Sequence, residues 1–293
     1  MKANKVKIEK TNCKQTQQRQ CTLCQSQACE VGLRRHLKNC DFVSIVRVYK
    51  ILWGDNVMSD KIVLYTIPFA GGSSFSYSDW NKYLDRNIEL VNLDYSGHGK
   101  RMDEDLINSF DEVVDDMLKL IINHVDKSKF MIYGHSMGGM VAYYVSHILQ
   151  DNFHMNPNCL FIGGCPSPKF FSCDRKKYER NMIIEQMLKD NRIDLEIAES
   201  DEFNSIIYPI IENDYNMLCR NFDGIFNELL FNITICLGGL KDDTVDSLGI
   251  QDWNNYISRV VYRLVDDAHY FNESSSEVVC NIINKTMRTE IMD

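Results

Sequence analysis

The stretch KFMIYGHSMG, Lys129–Gly138, reads as a strand, a sharp turn and the beginning of a helix. Four apolar residues, Phe130–Tyr133, run into Gly134. Ser136 stands at the apex, and Val141, Ala142, Val145 and Leu149 carry a helical pattern onward from Gly138. Gly-x-Ser-x-Gly in that setting fits a nucleophile elbow. At such an elbow the serine backbone is strained and side chains on either flank would strike the strand and the helix, so Gly134 and Gly138 leave room. The turn lifts the Ser136 hydroxyl clear of a sheet. It also aims the Met137 N–H, at the positive end of the next helix, at the place where a tetrahedral oxyanion would form. Five residues alone occur by chance, and an ordinary Gly-rich strand-to-helix turn would look the same, so the rest of the machinery has to be found.

Upstream, Ile62–Ile67 is a buried strand that ends in the Gly-rich loop Pro68-Phe69-Ala70-Gly71-Gly72-Ser73-Ser74. That loop can supply the second oxyanion donor, the backbone N–H of Ala70, with Phe69 as the alternate. Tyr77, Trp80, Tyr83 and Leu84 share a helical face. Ile88–Leu93 is a further strand, followed by the loop Asp94–Arg101. Phe110, Val113, Val114, Met117, Leu118, Ile121 and Ile122 follow the spacing of an amphipathic helix. Downstream, Cys159–Ile162, Phe231–Leu237 and Arg259–Val265 read as strands. A helix around Gln251–Ile257 separates the last two, and Val278–Met287 reads as a closing helix. Strands alternating with helices imply a parallel sheet covered on both faces. Between Cys159 and Phe231 lie helical patterns without a clear strand (Lys177–Lys189, Ile193–Glu199, Asp201–Phe222), which is what a lid over the strand ends would look like.

A serine nucleophile needs a base, an orienting acid and an oxyanion hole. Around an elbow of this kind the chain order is Ser, then Asp or Glu, then His. The strand Phe231–Leu237 runs into Gly238-Gly239-Leu240-Lys241-Asp242-Asp243, and the strand Arg259–Val265 into Asp266-Asp267-Ala268-His269. A carboxylate and an imidazole just past the ends of two late strands can reach the rim that carries Ser136. The expected set is therefore Ser136, Asp242 and His269, with Asp243 as the other candidate acid. His98, His124, His147 and His154 have no such placement, and His135, inside the elbow, is expected to pack or orient.

These segments together resemble type II thioesterases, the stand-alone editing enzymes of non-ribosomal peptide and polyketide synthesis, related to the medium-chain thioesterase of fatty-acid synthesis. The residues that carry the resemblance are Ile67–Ser73, Asp94–Arg101, Gly134–Gly139, Gly238-Gly239-x-x-Asp242 and Ala268–Phe271, in order, across about residues 60–290. Three positions depart from that pattern. Asp243 stands where proline usually follows the acid, Asp267-Ala268 precede His269 in place of Gly-Gly, and Ser96 replaces a proline. The resemblance implies an α/β-hydrolase fold with a mostly parallel sheet, helices on both faces and a helical lid at about 166–228. It implies hydrolysis of acyl thioesters on the phosphopantetheine arm of acyl-loaded carrier proteins, which would free carriers blocked by misprimed or stalled groups, with no cofactor. Phe170, Phe171, Met182, Met187, Tyr208, Tyr215 and Met217 would cap an acyl channel or form lid core. An esterase of small free esters, or a non-catalytic binder on the same fold, are the competing expectations.

The chain of 293 residues carries a net charge of −9, unevenly placed. Residues 1–57 hold eleven Lys/Arg against four Asp/Glu, which leaves −16 on the remaining 236 and argues against nucleic acid as partner of the main body. The scattered cysteines read as free thiols of a reducing, cytoplasmic setting. No apolar run approaches the roughly 20 residues that span a bilayer, so no membrane is expected as partner. The first 57 residues are read as a basic, Cys-containing extension, expected to be disordered, before a hydrolase domain at 58–293. Within the extension, Cys21, Cys24, His36 and Cys40 have a spacing that could hold one zinc ion; the alternative is a basic tail without metal. Residues 41–53 could add one strand or helix. Met58-Ser-Asp-Lys stands just before the first strand, so a start at Met58 is a further expectation.

Overall fold

A computed structural model of the chain describes residues 61–124, 129–172, 177–190, 192–222, 233–271 and 273–292, all within one compact unit. The expectations for the N-terminal 57 residues, including Cys21, Cys24, His36 and Cys40, and the start of the strand read from Phe231, lie outside the described residues.

Six strands form one sheet: β1 (Ile62–Ile67), β2 (Ile88–Asn92), β3 (Phe130–His135), β4 (Cys159–Gly163), β5 (Thr234–Gly239) and β6 (Val260–Val265). Their order is β2-β1-β3-β4-β5-β6 and every neighbouring pair is parallel. β1, β3 and β4 are buried along their whole length. That explains why they read as continuous apolar runs: a parallel sheet needs cover on both faces.

The helices are α1 (Phe110–His124), α2 (Met137–Phe153), α3 (Pro168–Phe171), α4 (Arg180–Lys189), α5 (Leu195–Glu199), α6 (Tyr208–Met217), α7 (Ser247–Gln251) and α8 (Glu273–Glu290). One face of the sheet presents Ile62, Leu64, Met131, Tyr133, Phe161 and Leu237 to Tyr77, Trp80, Cys280 and Ile283, so α8 and the segment after β1 cover it. Successive strand residues point to opposite faces, and α2 packs across β1, β3 and β4 on the other side, with α1 against it. Burying one large apolar side chain contributes roughly 1.5–3 kcal/mol, and these two layers hold most of the buried apolar residues.

Three local expectations need correction. Ser74–Lys82 is a 3₁₀ helix. Tyr77, Trp80 and Tyr83 are spaced three apart, and three residues per turn stacks i over i+3. The helix read at Gln251–Ile257 starts earlier, at Ser247, because Asp246 caps it by accepting the Gly249 N–H at 2.8 Å; it tightens to 3₁₀ over Asp252–Asn255. The closing helix begins at Glu273, five residues before the apolar stripe that announced it.

The topology creates a crevice. From β1 the chain passes outward to β2, and from β3 it passes the other way to β4. Connections that leave neighbouring parallel strands in opposite directions part at the carboxyl ends, and ligands bind there. Ala70 follows β1 and Ser136 follows β3, so both stand at that switch point. The helical insertion α3–α6 has an apolar cluster of its own, built from Ile183, Ile184, Met187, Ala198, Phe203, Tyr208 and Ile211.

Candidate active site

The elbow is built as its glycines suggest. Ser136 has φ 52° and ψ −117°. A non-glycine residue held there costs of order 1–3 kcal/mol, and the serine N–H is tied to the Gly163 carbonyl at 2.8 Å. A Cβ on Gly134 would strike the Gly138 carbonyl, and one on Gly138 would strike the Ile67 carbonyl at the end of β1.

His269, beyond β6, places Nε2 3.0 Å from Ser136 Oγ and Nδ1 2.9 Å from Asp242 Oδ2. The ring is 4% exposed and lies against the hydroxyl that β3 delivers. An ionised carboxylate only accepts hydrogen bonds, so Nδ1–H donates to Asp242 and Nε2 keeps its lone pair for the serine O–H. Asp242 spends its other oxygen on the backbone N–H groups of Thr244 (2.8 Å) and Val245 (3.0 Å). Burial pushes its pKa up, but the His269 hydrogen bond and charge and these two N–H donors outweigh it and hold the carboxyl below its ordinary value. Asp243 is elsewhere: it pairs with Lys189 of α4 at 2.6 Å, both side chains 57% exposed.

His135 sits behind His269. Its ring accepts from the Tyr133 hydroxyl at 2.9 Å and donates to the His269 carbonyl at 2.8 Å. Burial and the nearby His269 push its pKa down to about 3, so it is neutral and acts as a strut for the loop that carries His269.

On the oxyanion side, Ala70 is buried and lines the same cavity as Ser136 and His269. Among the described residues neither the Ala70 nor the Met137 N–H donates to a protein acceptor. Phe69, the alternate, is occupied differently: its ring meets Tyr270 at 4.8 Å and the Arg192 guanidinium at 4.8 Å, and its carbonyl accepts from Gly72.

The cavity holds about 630 Å³ and runs from Ser136 and His269 to Phe170, Phe171, Met182 and Tyr215 of the helical insertion. A space of that size with an aromatic lining fits a small organic group. Met187 and Tyr208, expected as channel or core, belong to the insertion's own apolar cluster, and Met217 is buried away from the cavity. Two residues that the sequence reading passed over meet at this site from far apart: Asp214 of α6 bonds both Gly71 and His98. The available signal was an aspartate at the position where the apolar stripe of α6, Tyr208 and Ile211, should continue. Arg192, packed against Phe69 and Tyr270, gave none. No group of three or more His, Cys, Asp or Glu suited to a metal ion occurs among the described residues, and no helix among them is long and apolar enough to cross a membrane.

A strained serine, an imidazole with a free lone pair and a buried carboxylate, joined by hydrogen bonds of 2.9 and 3.0 Å, is a chain that can deliver an alkoxide to a carbonyl. Comparison with known proteins agrees with that chemistry. The family model described as "Thioesterase domain" matches residues 63–232, which include Ala70 and Ser136; Asp242 and His269 follow the match. The gramicidin S biosynthesis protein GrsT of Aneurinibacillus migulanus is 22% identical over 224 residues, 75% of this chain and 86% of that one. The probable anguibactin biosynthesis thioesterase AngT of Vibrio anguillarum is 26% identical over 216 residues, covering 70% and 82%. Among solved structures, ClbQ from the colibactin NRPS/PKS pathway superposes with a TM-score of 0.67 at 26% identity, covering 79% of this chain and 99% of that one.

Proposed function

The chain belongs to the thioesterase-domain family and is a thioester hydrolase, and we propose that Ser136 is its nucleophile, His269 its base, Asp242 the orienting acid, and the Met137 and Ala70 N–H groups its oxyanion hole. The observation that carries this reading is the unbroken hydrogen-bonded chain from Asp242 through His269 to Ser136 at the elbow. We assign residues 58–293 to the hydrolase domain, with the insertion at about 166–228 as its lid.

The reaction follows from the atoms. His269 Nε2 takes the Ser136 proton as Oγ attacks the thioester carbonyl. The new oxyanion lies between the two backbone donors, which are preorganised and need no reorientation. The tetrahedral species collapses, the C–S bond breaks, and the thiolate takes the proton from His269. Water then gives a proton to His269 and attacks the acyl-serine. A second collapse frees the carboxylic acid and returns the proton to Ser136.

The thioester belongs to acyl groups carried on the phosphopantetheine arm of carrier proteins, which the enzyme clears when they are misprimed or stalled. Relatives named for gramicidin S and anguibactin biosynthesis support that substrate class. An aromatic cavity beneath a lid suits an acyl chain. A fluorophosphonate should label Ser136 and fail to label Ser136→Ala, and acyl-S-pantetheinyl carriers should be cleaved in preference to p-nitrophenyl esters of the same acid. An unlabelled wild type would remove the nucleophile assignment; a preference for free esters would remove the carrier assignment.

A further inference from the structure

Asp214 of α6 is fully buried and makes a polar contact with the floor of the site that the reaction above does not use. Its Oδ2 accepts the Gly71 N–H at 2.7 Å and a hydrogen from His98 Nε2 at 3.0 Å. His98, buried after β2, donates its other ring nitrogen's hydrogen to the Ser96 carbonyl at 3.0 Å. A carbonyl can only accept, so Nδ1 donates to Ser96; burial lowers the ring's pKa, but the Asp214 hydrogen bond and charge outweigh it and raise it. Removing one member of a buried pair of this kind leaves the other charge uncompensated. Asp214 Oδ1 has no hydrogen-bond partner among the described residues, a cost that packing alone does not account for.

The contact falls on one peptide plane. Gly71 directly follows Ala70 and has φ +68°, and Ile211, three residues before Asp214 on α6, fills the space beside its Cα. The plane between Ala70 and Gly71 is gripped at both ends by the insertion: Asp214 holds its N–H, and Arg192 Nη1 approaches its carbonyl at 3.5 Å. The preceding plane carries the Ala70 N–H, and its own carbonyl, on Phe69, is held by the Gly72 N–H at 2.8 Å. Tyr215, the next residue of α6, and Leu218, just past its end, line the cavity. The helix that meets the acyl group therefore also holds the loop that supplies the donor.

We propose that Asp214, held in place by His98, is the positioning residue of the oxyanion hole: it fixes the Ala70–Gly71 plane, so the Ala70 N–H points at the oxyanion only when the lid is seated. This rests on the reading of Ala70 as a donor and of Ser136 as nucleophile. A loosened donor lowers kcat and leaves ground-state binding alone.

The test compares wild type, Asp214→Asn and His98→Gln on one acyl-loaded carrier protein, with thermal melting and the affinity of an alkylboronic acid, which adds to Ser136 Oγ as a tetrahedral oxyanion mimic. Losing one oxyanion donor outright costs about 10²–10³ in kcat, so a misdirected one should cost about tenfold. Asp214→Asn is expected to lose about tenfold in kcat with KM unchanged, and boronate affinity should fall by the same factor. His98→Gln, which keeps a donor but not the charge, should move both the same way by a smaller factor, and it decides the matter if Asp214→Asn does not fold. Melting temperatures that drop while kcat and boronate affinity stay within twofold of wild type would overturn the inference and leave a structural strut. If wild type itself neither binds the boronate nor reacts with a fluorophosphonate at Ser136, the hydrolase assignment fails first and takes this inference with it.

Discussion

Two buried aspartate–histidine pairs stand on opposite sides of the elbow, and they differ in what lies beyond the ring. Asp242–His269 spans 2.9 Å and Asp214–His98 spans 3.0 Å; both carboxylates are fully buried and both rings nearly so. His269 faces a hydroxyl, which can donate, so its far nitrogen keeps a lone pair and can act as a base. His98 faces a carbonyl, which cannot donate, so its far nitrogen must be the donor and keeps no lone pair for a substrate. The pair itself does not make a catalytic base. The third partner does, together with the strained turn that presents Ser136.

The largest separation between the two regions should come from their removal. Ser136→Ala should abolish thioester cleavage by about 10⁴-fold or more, and Asp242→Asn should cost about 10⁴-fold in kcat by leaving His269 in the wrong tautomer. Asp214→Asn should cost only the roughly tenfold of a misdirected donor. Single-turnover deacylation rates measure all three, and an Asp214→Asn loss as deep as that of Asp242→Asn would mean the second pair is doing acid–base work. Asp243→Asn, which removes only an exposed pair with Lys189, should stay within about twofold of wild type.

The ring of the second pair, His98, and the buried strut His135 should give opposite pH responses of stability. Burial alone would lower the His98 pKa, but the Asp214 hydrogen bond and charge, the Ser96 carbonyl and Asp94 outweigh it and raise it above 6.5; Tyr95 packs edge-on against the ring and faces Asp214 as well. A raised folded pKa contributes stability that is complete below 6.5 and is lost as pH rises through the folded value. His135 behaves in the reverse sense. Its folded pKa is about 3, so the unfolded chain binds more protons between there and 6.5, and stability falls as pH drops through that window by up to about 1.4 kcal/mol per pH unit. Thermal melts across pH should show the acid slope flattened in His135→Gln and the alkaline slope flattened in His98→Gln. Unchanged slopes would contradict both protonation states.

What could be read from the sequence follows the range of each interaction. The elbow is local: ten residues carry the strand, the turn and the helix start, and the reason for Gly134 lies within them, although that for Gly138 is the Ile67 carbonyl of the neighbouring strand. The sheet is nearly as legible, because strands buried on both faces leave unbroken apolar runs such as Ile62–Tyr65. Choosing between Asp242 and Asp243 is a different problem. They are adjacent in one turn, and which carboxylate turns inward depends on the Thr244 and Val245 N–H groups and on Lys189 arriving from α4. Asp214 and His98 are 116 residues apart, and only folding the insertion over the strand ends brings them together. Met187 and Tyr208 of the insertion look like channel residues in composition, but their direction is set by packing within the insertion.

The central claim is that Ser136, activated by His269 and Asp242, clears acyl groups from carrier proteins. Intact-protein mass spectrometry of an acyl-loaded carrier, incubated with wild type or with Ser136→Ala, tests it most directly. The expected result is loss of the acyl mass with wild type, back to the free phosphopantetheine thiol, and a carrier that stays loaded with Ser136→Ala. Release at equal rates by both proteins, or a carrier that stays loaded with wild type, would contradict it.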